Sequence, residues 1–319
     1  VRIHITALKR GIAKTAEFKK KGLAEYAVNV GTKCGHACTY CSSGAMLRMH
    51  SSFKETGENP FATGYAIVDP TTPERVAHDA AKLRQRGLIQ LCTTVDAWSP
   101  EAQQYGLGRK CLEAILSQPG WTVRILTKNA AVIDDFDLIE KHRDRVLVGL
   151  SLTAPLAKAA IMAAVEPLAS PIEKRMAALA EARQRGLRTY GMLCPLLPGI
   201  SDGSSEVDEL VRFALDCGVE EVFVEPVNAR GPALGLTEQV LRTAGYAAEA
   251  DALAAVRHGA AWSQYTRQLL ENVQFSLARR HALSKLRFLL YPSRLTKADE
   301  LWIRQHASGV RWLGKKATA

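Results

Sequence analysis

Two periods of apolar and polar residues alternate along the chain. Short runs rich in Val, Ile and Leu recur at 27–30, 88–95, 122–127, 146–152, 187–194 and 221–224. Each is too short for a helix and predicts a strand buried on both faces. Longer stretches with helical spacing lie between them, at 73–86, 103–118, 132–142, 172–185 and 205–217. In the first, Val76, Ala80 and Leu83 share one face, Pro73 sits near the start and Gly87 follows the end. Gly186 and Gly218 close two others, and Pro195 and Pro198 stop the fifth strand. This alternation predicts an α/β fold of βα units around a parallel sheet. Six such units in about 200 residues predict an incomplete barrel rather than a closed eight-stranded one.

The remaining segments lack this rhythm. Residues 42–72 are polar and rich in Gly, Pro and Ser, which predicts a loop with at most a short helix. Beyond about residue 230 the pattern becomes helical, at 236–255, 262–279 and 296–306, with many Ala, Arg and aromatic residues. The expected organisation is an extension over 1–25, a barrel over 26–230 and a helical C-terminal region over 231–319.

Composition narrows the class. The 319 residues, 47% hydrophobic, suffice for one large domain with an appendage. No apolar run approaches the ~18–20 residues of a membrane span. The first 21 residues are basic but carry Gly11 and Glu17, and they lack a signal-peptide hydrophobic core. A cytoplasmic location is expected, and a start at Val1 implies that leading residues are missing. The net charge of +10 admits an anionic partner, nucleic acid being the commonest. Because Lys and Arg are spread along the whole chain, a plain basic surface explains the charge equally well. Seven cysteines, three of them within eight residues, suit metal or redox use better than a disulfide framework.

Those three carry the chemistry. Cys34-Gly35-His36-Ala37-Cys38-Thr39-Tyr40-Cys41 has the spacing C-x3-C-x2-C. Three thiolates this close can wrap one iron–sulfur cluster from a single loop. Three ligands for four irons leave one iron open to a small molecule. Gly31 and Gly35 allow the tight backbone this requires. The loop follows the first strand, at the barrel end where chemistry sits. A zinc site with His36 or His50 as fourth ligand is the competing reading.

With its aromatic before the last cysteine, the stretch 26–41 resembles the radical S-adenosylmethionine superfamily, and within it the spore photoproduct lyase-like branch. The resemblance continues through 94–101, 125–129 and 151–153, then Glu166-Pro167, Ser170-Pro171, Arg175 and 195–199. It implies a partial (βα)6 barrel and a [4Fe–4S] cluster on Cys34, Cys38 and Cys41. It implies S-adenosylmethionine on the open iron, cleaved by one-electron reduction to a 5′-deoxyadenosyl radical that abstracts hydrogen from substrate. An electron donor of the flavodoxin or ferredoxin type follows from that chemistry.

The resemblance also assigns expected roles. Tyr40 packs near the adenine. Thr93, Thr94 and Asp96 face the methionine part, although Asp96 also suits a turn cap. Thr127 and Lys128 end the third strand, and Lys128 can pair with the cofactor carboxylate. Ser151 and Thr153 can bond the ribose hydroxyls. Glu166 and Arg175 pair with the cofactor or with each other. Relatives carry Pro-Tyr-Gln after the aspartate, where this chain has Ala97-Trp98-Ser99, so the local substrate contact is expected to differ. Cys194 is the candidate catalytic residue from its place alone: a thiol ending the fifth strand could return a hydrogen atom, as a cysteine does in spore photoproduct lyase, although no motif matches the two. Cys92, Cys111 and Cys217 read as core.

The tail interleaves Arg267, Arg279, Arg280, Lys285, Arg287, Arg294, Arg304, Arg311, Lys315 and Lys316 with Trp262, Tyr265, Tyr291, Trp302 and Trp312. Such a surface can hold phosphates and stack bases, or it can be a solvated helical face. Three functions thus stand open: a radical enzyme acting on nucleic acid, one acting on a peptide or small metabolite, and a zinc-stabilised nucleic-acid-binding module.

Overall fold

A computed structural model describes residues 1–229 and 231–314. Its centre is a parallel sheet of β1 (Tyr26–Val28), β2 (Leu88–Leu91), β3 (Thr122–Thr127), β4 (Val146–Leu150), β5 (Gly191–Leu196) and β6 (Val222–Pro226). Neighbours pair in chain order, with Val28 opposite Leu91, Leu91 opposite Ile125, Ile125 opposite Val148 and Met192 opposite Phe223. A bridge from Ser151 to Met192 carries the sheet from β4 to β5. Helices Thr72–Lys82, Leu107–Leu116, Ile172–Gln184 and Ser204–Asp216 pack outside, as the helical spacing predicted. Leu107–Leu116 turns Cys111, Leu112 and Ile115 inward, all fully buried. Each such side chain contributes roughly 1.5–3 kcal/mol by leaving water. The six-stranded partial barrel is as expected.

Three regions differ from expectation. Segment 42–72 is not mainly loop. It holds helices Ser43–Leu47 and Ser51–Thr56 and the strand Tyr65–Val68. That strand joins Arg2–Ile5 in parallel and Gly31–Lys33 in antiparallel pairing, forming a small separate sheet. Its partners lie far away in sequence, so the local pattern could not reveal the pairing. Gly31 is obligatory in that sheet, because a Cβ would strike the backbone of Ile67 at 2.1 Å.

The expected strand 187–194 is broken. Arg188–Thr189 pairs with β4, and β5 then runs on through the cis Cys194–Pro195 bond to Leu196. Pro195 therefore does not stop the strand. The register shifts between Leu193 and Leu196, which accommodates a residue with no N–H to donate.

The C-terminal region is not wholly helical. Between its helices it contributes β7 (Leu286–Leu290) and β8 (Val310–Trp312), which continue the sheet in parallel beyond β6. Arg287 within β7 hid this strand in the sequence; its guanidinium reaches Glu221 at 2.9 Å. The N-terminal segment ties the other edge. Ala13–Lys14 pairs antiparallel with β1, and the helix Ala16–Lys21 then packs against β8. That helix lies between the two ends of the sheet. Among the described residues no pairing joins β8 to β1. No helix among them is long and apolar enough to cross a membrane.

Candidate active site

A cavity of about 260 Å³ opens at the C-terminal ends of the barrel strands. Cys34, Cys38 and Cys41 line one wall. The loop that carries them is pinned at several points. Asn29, just after β1, accepts from the Thr93 and Thr94 amides and so joins the ends of β1 and β2. The Gly35 amide donates to the buried Glu101 carboxylate at 2.7 Å, and a Cβ on Gly35 would collide with that carboxylate. The Thr39 amide donates to the Val165 carbonyl.

The three cysteines form a donor set that is costly without a cation. Burial, then the charges of Cys41 and Cys38, push the Cys34 thiol well above its ordinary range. Burial, then Glu166, pushes Cys38 up to about 12. Bonding to positive metal removes that cost. The trio lines one cavity. Among the described residues no three His, Cys, Asp or Glu side chains are placed to hold a single metal ion. Three thiolates on one short loop, each costly while bare, are the donor chemistry of an iron–sulfur cluster. His50, one proposed zinc ligand, instead caps the helix Ser51–Thr56 through Nδ1 and lines a different depression. His36 does line the cavity, with Nδ1 3.6 Å from Asp96.

Behind this wall lies a buried ion pair. Arg175 donates to Glu166, and Tyr40 and Thr153 donate to the same carboxylate. Burial opposes the Glu166 charge, but Arg175, Lys128 and the Tyr40 hydrogen bond together hold its carboxyl below the usual range. Glu166 and Arg175 thus pair with each other, and Arg175 also donates to the Ser151 carbonyl. Thr153 is fully buried against Glu166 and is not among the cavity-lining residues.

The other expected site residues converge on the cavity. Tyr40, Thr93, Thr94, Asp96, Thr127, Lys128, Ser151 and Cys194 all line it. Lys128 holds its ammonium 4.0 Å from Glu166 and 5.8 Å from the Tyr40 ring centroid. Asp96 is the most heavily used: its carboxylate accepts from the Trp98 amide, the Thr127 hydroxyl and the Lys128 amide. These bonds cap the turn after β2 and lock it to β3. Trp98 does not face the cavity. It is buried, with its indole N–H on Asp135 at 2.8 Å, so the Ala97-Trp98-Ser99 departure rebuilds the core beside the site.

The opposite wall was largely invisible in the sequence. Cys194 there lies 3.4 Å from Glu225, which ends β6, and Glu225 also meets Lys21 of the N-terminal helix at 3.4 Å. Lys21 lies over the rings of Phe18 and Tyr291, and Tyr291 donates to Glu17 at 2.6 Å. Burial opposes the Lys21 charge, but Glu225 and its neighbours outweigh it and hold the ammonium well above the lysine range. Burial, then Glu225, pushes the Cys194 thiol far up. Cys92 lines the cavity as well as the core, at a left-handed φ of 62°. A carboxylate closing the sixth strand was the one readable signal for Glu225. Lys21 and Tyr291 gave none, because they lie outside the six-stranded pattern.

Seven of the tail cations are engaged within the molecule, while Arg311 is exposed. Arg267, Arg279, Arg280, Arg287 and Arg304 all sit in ion pairs. Arg294 donates to two backbone carbonyls and Lys285 to another. Trp262 and Tyr265 are buried. Lys315 and Lys316 lie outside the described residues.

Comparison with known proteins places this geometry. Residues 28–214 match the family model of the Radical SAM superfamily. An uncharacterized protein of Acidianus two-tailed virus is 26% identical, over 68% of this chain and 71% of its own. One of Methanocaldococcus jannaschii is 25% identical, over 60% and 67%. One of Mycobacterium tuberculosis is 25% identical, over 66% and 61%. Spore photoproduct lyase variants share the fold, at a TM-score of 0.52 with 19% identity in one solved structure. Another, with bound AdoMet and dinucleoside spore photoproduct, gives 0.50 with 18% identity. In both, 75% of this chain covers 66% of the lyase chain, just under two thirds of its length. With more than half its length matched and the cysteine trio of the motif gathered on one cavity wall, the chain belongs to the Radical SAM superfamily.

Proposed function

We propose that this chain binds a [4Fe–4S] cluster through Cys34, Cys38 and Cys41, cleaves S-adenosylmethionine reductively and abstracts hydrogen from a substrate held against the opposite wall. The observation that carries this reading is that the three cysteines of the C-x3-C-x2-C motif line the same cavity as Cys194. When bound, the cluster and S-adenosylmethionine supply the 5′-deoxyadenosyl radical.

The chain's own residues do the rest. The Asn29 and Glu101 hydrogen bonds and the Thr39–Val165 bond hold the cysteine loop before anything binds. Lys128, poised between Glu166 and open cavity, is the group suited to the cofactor carboxylate. Thr93, Thr94 and Ser151 offer hydroxyls along the same wall. On the far wall Cys194 is kept as a thiol by burial and by Glu225, so it retains the hydrogen it would hand to a substrate radical. A low-potential carrier of the flavodoxin or ferredoxin type supplies the electron.

Two substrate readings compete. The +10 charge favours nucleic acid. The engaged tail arginines, and cavity lysines that each already face a carboxylate, favour a peptide or small metabolite. We infer the second. Single-stranded DNA or RNA that binds in a steeply salt-dependent way would restore the first. The class itself is tested after anaerobic reconstitution. Electron paramagnetic resonance should show one [4Fe–4S] signal, and dithionite with S-adenosylmethionine should release 5′-deoxyadenosine. Cluster-loaded protein that releases none overturns the reading.

A further inference from the structure

The segment directly after the cysteine loop presents a surface that nothing above uses. Helix Ser43–Leu47 starts two residues after Cys41 and is tied to the cavity rim by a 2.9 Å bond from Ser43 to the Thr94 carbonyl. Met46 on this helix lines the cavity yet is 50% exposed, and Met49 just beyond it is 87% exposed. Both are large apolar side chains open to solvent within eight residues of Cys41. Methionine and arginine are residue types that protein interfaces favour.

Cations surround the methionines. Arg48 and Lys54 are exposed on the same segment, and Lys9 and Arg10 are exposed on the strand-to-strand connection alongside. Leu8, Lys9 and Arg10 line one depression with Leu47 and His50, which brings that connection against the methionine-bearing helices. Among the described residues none of these four cations has a carboxylate partner, unlike the arginines of the tail. The nearby Glu58 is already held by Arg2 and His4. The patch thus sets four cations against the exposed Glu55 beside Lys54, is partly apolar, and meets the cavity through Met46.

We propose that Met49, Arg48, Lys54, Lys9 and Arg10 form the docking surface for an acidic one-electron carrier protein, which delivers its electron to the cluster across the Ser43–Leu47 helix. This rests on the cluster assignment above. The carrier loses one electron, the cluster gains one, and no bond or proton is exchanged at this step. A phosphate-rich nucleic acid would use the cations but not the two methionines, and the position beside Cys41 favours a redox partner. Opposite charges would speed the encounter and make it salt-dependent.

The test uses an acidic flavodoxin as carrier and the full chain carrying Lys9→Glu, Arg48→Glu and Lys54→Glu together. None of these residues lines the cofactor cavity. The variant should bind flavodoxin about tenfold more weakly at low salt and lose a similar factor in flavodoxin-driven 5′-deoxyadenosine release. Its dithionite-driven release should stay unchanged. Met49→Asp, a milder change, should weaken flavodoxin binding without altering the far-ultraviolet circular dichroism. Unchanged flavodoxin affinity in both variants overturns the proposal. So does a triple variant that loses single-stranded DNA binding while keeping flavodoxin, which would assign the patch to nucleic acid. A wild-type protein that makes no 5′-deoxyadenosine with dithionite would sink the cluster assignment instead, and the binding comparison would still decide the docking surface.

Discussion

The two walls of the cavity are built in different ways. The cysteine wall comes from one contiguous loop and the ends of β1 to β4, with each turn held by a side chain a few residues away or on the next strand. The far wall is assembled from residues 17–21, 194, 225 and 289–291, which meet only when both edges of the sheet are in place. The first is a motif, and the second is a product of tertiary structure. A superfamily that keeps its cofactor chemistry and varies its substrate would need this division: local sequence fixes the shared half, and distant segments shape the half that differs.

The largest expected effect separates the walls outright. Cys38→Ala should reduce iron from about four per chain to near background, together with all 5′-deoxyadenosine release. Glu225→Gln should keep its full iron load, as measured by iron and sulfide assay. Equal iron loss in both variants would erase the distinction.

Each wall also hides an ion pair, and these can be weighed against each other. Arg175–Glu166 is almost completely buried, with both side chains at 1% exposure, whereas Lys21 and Glu225 keep 11% and 15%. Removing one partner of a buried pair leaves an uncompensated charge. Arg175→Met should therefore cost about 4 kcal/mol in urea unfolding, and Lys21→Met a smaller ~3 kcal/mol. Adding Glu225→Leu to Lys21→Met should recover most of the second loss, since no charge is then stranded. A far-wall pair that costs more than the near-wall pair would mean that the sheet ends, not the barrel, hold the molecule together.

A third test addresses the joint that lets the far wall exist. Asp208 on the helix Ser204–Asp216 is gripped by Ser276 of the helix Gly259–Ala278 and by Arg279 and Arg280 just beyond its end. The Arg280 hydrogen bonds, against the burial that opposes them, hold its carboxyl at about 2 rather than the ordinary 3.8. A depressed carboxyl adds stability above its unfolded pKa and loses it as pH falls toward the folded one. Stability should thus drop between about pH 4 and pH 2, and Arg280→Ala should flatten that drop. Solvent screening limits the effect to roughly 1 kcal/mol, readable in thermal unfolding across that range.

The same division decides how much was legible. Strands such as Thr122–Thr127 and Val146–Leu150 are continuous apolar runs between clear helices, so period alone finds them. The cysteine spacing is local and finds its own chemistry. Tyr65–Val68 and β7 fail that test for a physical reason: each is stabilised by partners more than 20 residues away, and β7 carries an arginine that satisfies itself on Glu221. Thr153 could not be separated from Ser151 by sequence, because alternation on a strand does not say which hydroxyl turns to a carboxylate behind the wall. The tail arginines looked like a nucleic-acid surface because composition cannot show that Asp208, Glu221 and Glu300 already claim them.

The smallest effect probes the far wall most directly. Cys194 is raised by burial first and by Glu225 second, while Lys21 pulls it the other way. Alkylation by iodoacetamide at pH 8 follows the thiolate fraction, and peptide mapping separates Cys194 from the other six cysteines. Glu225→Gln removes the like charge and should speed labelling about threefold. Lys21→Met removes the compensating cation and should slow it by a similar factor. The opposite signs matter more than either size. A wall that merely loosened on mutation would expose the thiol and accelerate both variants, so parallel acceleration would show that packing, not the charge pair, controls Cys194.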